Sequence, residues 1–156
     1  MPLYQFKSTQ KIPASMEQVW DFMSSPRNLK KITPPYMGFD ITNEPLPEKM
    51  YAGMIITYKV SPMFNIPMTW VTEITHVRDR EYFVDEQRVG PYTIWHHQHL
   101  LEKIENGVLM SDIVSYQPPM GFLGAIANTL FIKNKLTEIF DYRFSAVVNE
   151  FGPYKN

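Results

Sequence analysis

Apolar and polar residues alternate with a period of two over most of this chain and switch to a helical period near its end. Leu3 to Ile12 alternates and predicts a first strand. Ser15, followed three residues later by Gln18, is a capping-box signature. It predicts a short helix over Met16 to Met23 with Val19, Trp20 and Met23 on one side. Ser25-Pro26 opens a second short helix, Arg27 to Ile32, which Pro34-Pro35 ends. Strand-like segments follow at about 37–44, 54–61, 66–78, 81–88, 92–105 and 108–117. Turn-formers separate them: Pro45, Pro47 and Gly53, then Ser61-Pro62, Asp79, Gly90-Pro91 and Asn106-Gly107. From about 122 to 150 the stripe Leu123, Ile126, Leu130, Ile132, Leu136, Ile139, Phe140, Phe144, Val147, Phe151 predicts one long helix. The order is strand, two short helices, six strands, long helix. That pattern predicts a single α+β domain over residues 1–156, with a curved antiparallel sheet covering the long helix.

Chemistry concentrates between Tyr82 and Tyr116, where His96, His97 and His99 stand within four residues of one another. Strand alternation puts His97 and His99 on one face with Trp95 and turns His96 away. If Asn106-Gly107 is a two-residue turn, Glu105 pairs with Val108, His97 with Tyr116 and His99 with Val114. Asp112 then sits diagonally from His99, within side-chain reach. One face collects Trp95, His97, His99, Asp112 and Tyr116. The other carries His96, Gln98, Glu102, Ser111, Ser115 and Gln117 among apolar residues. A polar, aromatic sheet face of this kind lines a cavity or forms an unusually polar exterior.

Composition narrows the classes of function. A net charge of −1 gives no electrostatic case for nucleic acid or an acidic membrane surface. With no cysteine, disulfides, thiolate metal sites and cysteine nucleophiles are excluded. No apolar run reaches spanning length and the N-terminus lacks a secretory pattern, so no membrane insertion is expected and the expected location is cytoplasmic. Aromatic content of 14% with ten methionines suits either an adaptable core or a pocket for apolar ligands of variable shape.

Several side chains invite a functional reading. His97, His99 and Asp112 can be read as a zinc or iron(II) site, as an acid–base pair with Asp112 orienting His99, or as a buried hydrogen-bonded network. Two histidines two apart on a strand are common by chance, and no HExxH-type motif strengthens the metal reading, so no residue is assigned to a metal and no cofactor is expected. Asp85 and Gln87 share a face with Phe83 and are read as pointing inward. Arg143 interrupts the helical stripe between Phe140 and Val147, where it either anchors a ligand oxygen, pairs with Asp85 or Asp112, or snorkels to solvent. Pro118 to Gly124 reads as a packed turn or a lid. No nucleophile elbow and no phosphate-binding glycine loop occurs.

The element order, with Ile12-Pro13-Ala14 leading into the Trp20 helix, resembles the helix-grip fold of the START-like (SRPBCC) superfamily over nearly the whole chain. That superfamily includes birch-pollen-allergen-like proteins, polyketide cyclases and dehydrases, and lipid-transfer (lipid transport) domains. Phe83-x-Asp85-x-Gln87-x-x-Gly90-Pro91-Tyr92, Trp95-x-His97-x-His99, Asp112-x-x-x-Tyr116 and Phe140-x-x-Arg143 look like a polyketide cyclase/dehydrase-like ligand-binding subgroup. The resemblance implies about seven strands wrapped on the C-terminal helix and a hydrophobic cavity between them; it carries no shared catalytic set.

The expected function is therefore binding of a small apolar or aromatic ligand. The expected ligand-binding residues are Trp95, His97, His99, Asp112, Tyr116, Asp85, Gln87, Phe140 and Arg143. Two alternatives stand beside it. One is a cyclase- or dehydrase-type enzyme with His99, His97 and Asp112 as catalytic groups on a carbonyl-bearing ligand. The other is a protein-interaction module with an incidental cavity.

Overall fold

The structure, a computed structural model, describes residues 2–155. Its elements run β1 (Tyr4–Ile12), α1 (Met16–Met23), two single 3₁₀ turns (Pro26–Lys30 and Pro35–Met37), then β2 (Asp40–Ile41) and β3 (Met54–Val60). They continue with β4 (Met68–Arg78), β5 (Tyr82–Val89), β6 (Ile94–Ile104), β7 (Gly107–Gln117), α2 (Gly121–Ala127) and α3 (Lys133–Phe151). The strands form one antiparallel sheet in the order β1-β7-β6-β5-β4-β3-β2. Only the link from β1 to β2 crosses the sheet, so residues 13–39, including α1, span from one edge to the other. Every later connection joins neighbours.

The capping box forms as predicted: Gln18 N–H donates to Ser15 Oγ at 3.2 Å, and Ser15 N–H donates to Gln18 Oε1 at 3.0 Å. It fixes the start of α1, whose Val19, Trp20, Phe22 and Met23 pack into the core with Ile12, Phe83, Val108, Met110 and Val147. The predicted second helix is a single 3₁₀ turn, and the strand expected over 37–44 shrinks to two paired residues. Prolines flank both segments, Pro26, Pro34 and Pro35 around the first and Pro35 and Pro45 around the second, and limit how far each can extend.

The hairpin between β6 and β7 departs from the predicted register. Ile104 pairs with Gly107, so the loop is Glu105-Asn106, and Asn106 alone carries the positive φ of 60°. Gly107 instead starts β7, where a Cβ would collide with the carbonyl oxygen of Ile12. The glycine serves close backbone approach rather than the turn. His97 consequently pairs with Val114, Trp95 with Tyr116, and His99 lies directly opposite Asp112 rather than diagonal to it. The partner shift is two residues, so each side chain keeps its predicted face.

The C-terminal helix is continuous through α2, a wide π turn at Asn128–Ile132, and α3. Its buried positions are Gly124, Asn128, Ile132, Leu136 and Phe140, then Arg143 and Val147. A face repeating every four residues drifts around a helix of 3.6 residues per turn, and the wide turn takes up part of that drift. The predicted stripe is wrong at Leu123, Ile126, Leu130 and Phe144, which are exposed. Within 118–124 a Cβ at Gly124 would strike the carbonyl oxygen of Pro119, while Met120, Phe122 and Leu123 are exposed. Among the described residues no helix is long and apolar enough to cross a membrane.

Candidate functional site

Between the concave face of the sheet and α3 lies a cavity with about 160 Å³ of room for the centres of water-sized spheres. Most of its wall is apolar or aromatic, including Phe39, Tyr58, Trp70, Tyr92, Trp95 and Phe140. Strand alternation accounts for this wall. Ile56, Tyr58 and Val60 from β3, and Trp70, Thr72 and Ile74 from β4, all face it. Trp70 meets Trp95 edge-on at 5.4 Å and 89°, Tyr92 meets Trp95 tilted at 4.9 Å and 40°, and Tyr58 lies parallel to Trp70 at 6.2 Å and 13°.

One end of the cavity is polar. β5 and β6 pair Asp85 with His97 and Phe83 with His99, while β6 and β7 pair His99 with Asp112. Asp112 Oδ1 lies 2.8 Å from His97 Nε2, 3.2 Å from His99 Nδ1 and 3.2 Å from Arg143 Nη2. Asp85 Oδ2 lies 2.6 Å from His99 Nε2 and 3.5 Å from His97 Nδ1. Thus each imidazole faces both carboxylates, with opposite ring nitrogens. The two imidazoles lie 3.7 Å apart at their centroids, and Phe83 stacks under His99 at 4.0 Å.

Burial and neighbouring charges pull in opposite directions on each group of this cluster. Burial raises the affinity of Asp112 for a proton, but the Arg143 guanidinium and the bonds from His97 and His99 hold its carboxyl well below the usual range. Asp85 follows the same logic less strongly: burial opposes its charge, and the charge of His97 and the bond and charge of His99 restore it. Burial also disfavours charge on both histidines. At His99 the bonds to Asp112 and Asp85 overcome it and raise the pKa. At His97 burial and the neighbouring charge of His99 win, and the pKa is lowered. The pair therefore holds its proton on His99 first.

The structure sorts the residues singled out from sequence. Trp95, His97, His99, Asp85, Phe140 and Arg143 line the cavity. Asp112 is buried behind the histidines and touches them rather than the cavity. Tyr116 does not reach the cavity either, because its hydroxyl donates to Asn128 Oδ1 at 2.7 Å on the helix. Gln87 folds over the β5–β6 turn, accepting from Tyr92 N–H at 3.1 Å and donating to the Tyr92 carbonyl. Arg143 does not snorkel: only 8% exposed, it turns inward to Asp112.

Sequence reasoning missed Phe39, Tyr58, Ile139 and Leu136 as wall residues. Period-two alternation through Ile56, Tyr58 and Val60 could have found Tyr58. Two buried donors, Trp70 Nε1 and Arg143 Nε, have no hydrogen-bond partner among the described residues, and both side chains line the cavity.

No family model matches the sequence, and no curated protein matches it. Solved structures do. The di-domain ARO/CYC protein BexL of the BE-7585A biosynthetic pathway superposes with a TM-score of 0.72 at 15% identity, covering 98% of this chain and 51% of that one. Ginseng major latex-like protein 151 from Panax ginseng gives a TM-score of 0.69 at 11% identity, covering 97% and 99%. The fold they share is the helix grip. Protein CV1439 from Chromobacterium violaceum adds a TM-score of 0.70 at 13% identity over 96% of this chain and 99% of its own. At such identities the likeness concerns architecture, and this helix-grip chain must be read for function from its own cavity.

Proposed function

We propose that this protein binds a small apolar or aromatic molecule bearing a hydrogen-bond acceptor, such as a carbonyl oxygen, in the cavity between sheet and C-terminal helix. The observation that carries the reading is the division of the cavity: aromatic and aliphatic walls, with Asp85, His97, His99 and Arg143 gathered at one end. Apolar walls supply affinity by removing hydrocarbon from water, and few polar groups at one end fix orientation. The unpaired N–H groups of Trp70 and Arg143 are buried donors that an acceptor on the guest satisfies. The di-domain ARO/CYC protein BexL, which shares the fold, comes from a biosynthetic pathway, and a small-molecule guest is consistent with that likeness of fold.

Native mass spectrometry of freshly purified protein tests the reading. An additional mass of a few hundred daltons, released on denaturation, supports it. A bare chain that also fails to take up aromatic ketones in titration contradicts it and favours an interaction module.

A second reading rests on His99, which lines the cavity while two carboxylates hold its proton. Such a group can donate to a guest carbonyl, as a cyclase or dehydrase requires. The His99→Ala variant separates the two. Weakened binding without any turnover in the parent protein supports the binder, whereas lost turnover with affinity within about threefold supports the enzyme.

A further inference from the structure

The polar end of the cavity has a geometry that goes beyond ligand orientation. Asp112 Oδ1 faces Nε2 of His97 and Nδ1 of His99, at 2.8 and 3.2 Å. Each histidine therefore has one nitrogen tied to Asp112, which Arg143 anchors from the helix. The opposite nitrogens, His97 Nδ1 and His99 Nε2, converge on Asp85 Oδ2 at 3.5 and 2.6 Å. One ligand atom from each of Asp85, His97 and His99 lies within 4.8 Å of the other two. Their side chains line the cavity, whereas Asp112 does not.

We propose that Asp85, His97 and His99 form a binding site for a divalent transition metal ion of the zinc or iron(II) class. Two imidazoles and one carboxylate are a recurrent donor set for such ions, with further coordination positions left open. Ligand atoms about 2.0–2.2 Å from a common ion lie roughly 3.0 Å apart in octahedral and roughly 3.4 Å apart in tetrahedral geometry, so the 3.5 Å contact fits and the 2.6 Å contact must open by about 0.4–0.8 Å.

The surroundings also match what metal-binding histidines require. A coordinating imidazole donates its other N–H to a carboxylate, which fixes tautomer and ring orientation. Asp112 plays that role for His97 Nε2 at 2.8 Å, whereas His99 Nδ1 lies 3.2 Å from both Asp112 Oδ1 and Arg143 Nη2. The position of Asp112 is held by the guanidinium of Arg143. Without an ion, a proton between His99 Nε2 and Asp85 Oδ2 occupies the same locus, so metal uptake releases a proton. His97 Nδ1, 3.5 Å from the carboxylate, makes no good hydrogen bond there and is free to coordinate.

Spacing along the chain suggested Asp112 as the carboxylate partner. The observed pairing assigns the ligand role to Asp85 and leaves Asp112 as the positioning residue. The half-buried His96, bonded to Glu86 at 2.8 Å on the opposite face, forms no comparable group among the described residues.

The test is titration of the chelator-treated full chain with Co²⁺ alone, followed by visible absorption and by NMR of the imidazole protons. One equivalent should bind with ligand-field bands, and paramagnetic shifts should centre on His97 and His99 while sparing His76 and His96. Asp85→Asn should weaken binding at least tenfold. Asp112→Asn should keep the stoichiometry but weaken binding by about 10–100-fold. His76→Ala should change nothing.

Absence of saturable binding at micromolar Co²⁺, or shifts centred on His96, would overturn the proposal. So would undiminished affinity in folded Asp85→Asn protein. The wild-type NMR decides the matter even if a variant does not fold. The site is read without any guest, so its failure leaves the cavity-binding reading standing, and the reverse holds as well.

Discussion

The two ends of the cavity are held by different forces. At the polar end, Asp85, Asp112, His97, His99 and Arg143 meet one another's charges and hydrogen bonds inside the protein. At the aromatic end, Phe39, Tyr58, Trp70, Tyr92 and Trp95 touch through rings and leave Trp70 Nε1 without a partner. The first end is an interlocked set in which removing a charged member exposes an uncompensated charge. The second is a packed wall in which each change is felt through lost volume and contact. A site that must hold a variable guest in one orientation benefits from both: a rigid polar end and an adaptable apolar one.

The largest break in that comparison should come from Arg143. Arg143→Met removes the guanidinium from a buried carboxylate, and destabilisation of about 3–5 kcal/mol is expected from urea unfolding. The double variant with Asp112→Asn should recover a substantial part of that loss. A cost below about 1 kcal/mol for the single variant would mean that the cluster is not interlocked.

Acid sensitivity gives a second, smaller contrast. The folded pKa of Asp112 lies well below its ordinary value of 3.8, so the unfolded chain binds more protons in between. Its stabilisation is fully present above that ordinary value and is lost as pH falls from about 4 through the folded pKa. Thermal unfolding of metal-free protein should therefore show a steep acid limb, which Asp112→Asn flattens. An unchanged limb would place the acid response elsewhere.

The smallest effect on stability is expected at the aromatic end. Trp70→Phe removes an unpaired buried donor together with part of a ring, and these changes oppose each other. The net change should stay within about 1 kcal/mol, while affinity for an acceptor-bearing guest falls. Stability loss above about 3 kcal/mol would show that this wall is as interdependent as the polar end.

How far these features can be seen in the sequence depends on whether they are local. The capping box at Ser15 and Gln18, the strand periods and the final helix are set by neighbours a few residues apart, and they were legible. So was the shared face of His97, His99 and Asp112, which survives a two-residue register shift because side chains alternate with period two. The pairing itself was not legible. The steric need at Gly107 comes from Ile12, nearly a hundred residues away. The outward orientation of Leu123, Ile126 and Leu130 was hidden for a similar reason, because the wide turn at Asn128–Ile132 changes which residues face the sheet. Arg143 was recognised as anomalous in the stripe, but only the sheet's curvature shows that it meets Asp112 and not solvent.

The central claim is that the apolar walls hold a guest while the polar end orients it. A paired titration with tetralin and 1-tetralone, followed by tryptophan fluorescence, tests it most directly. The two compounds share a carbon skeleton and differ by one carbonyl oxygen. The account predicts that both bind in the cavity, with the ketone roughly tenfold tighter, as one hydrogen bond from a buried donor provides. Trp70→Phe should narrow that difference. Equal affinities for the two compounds, or no saturable binding of either, would contradict the account.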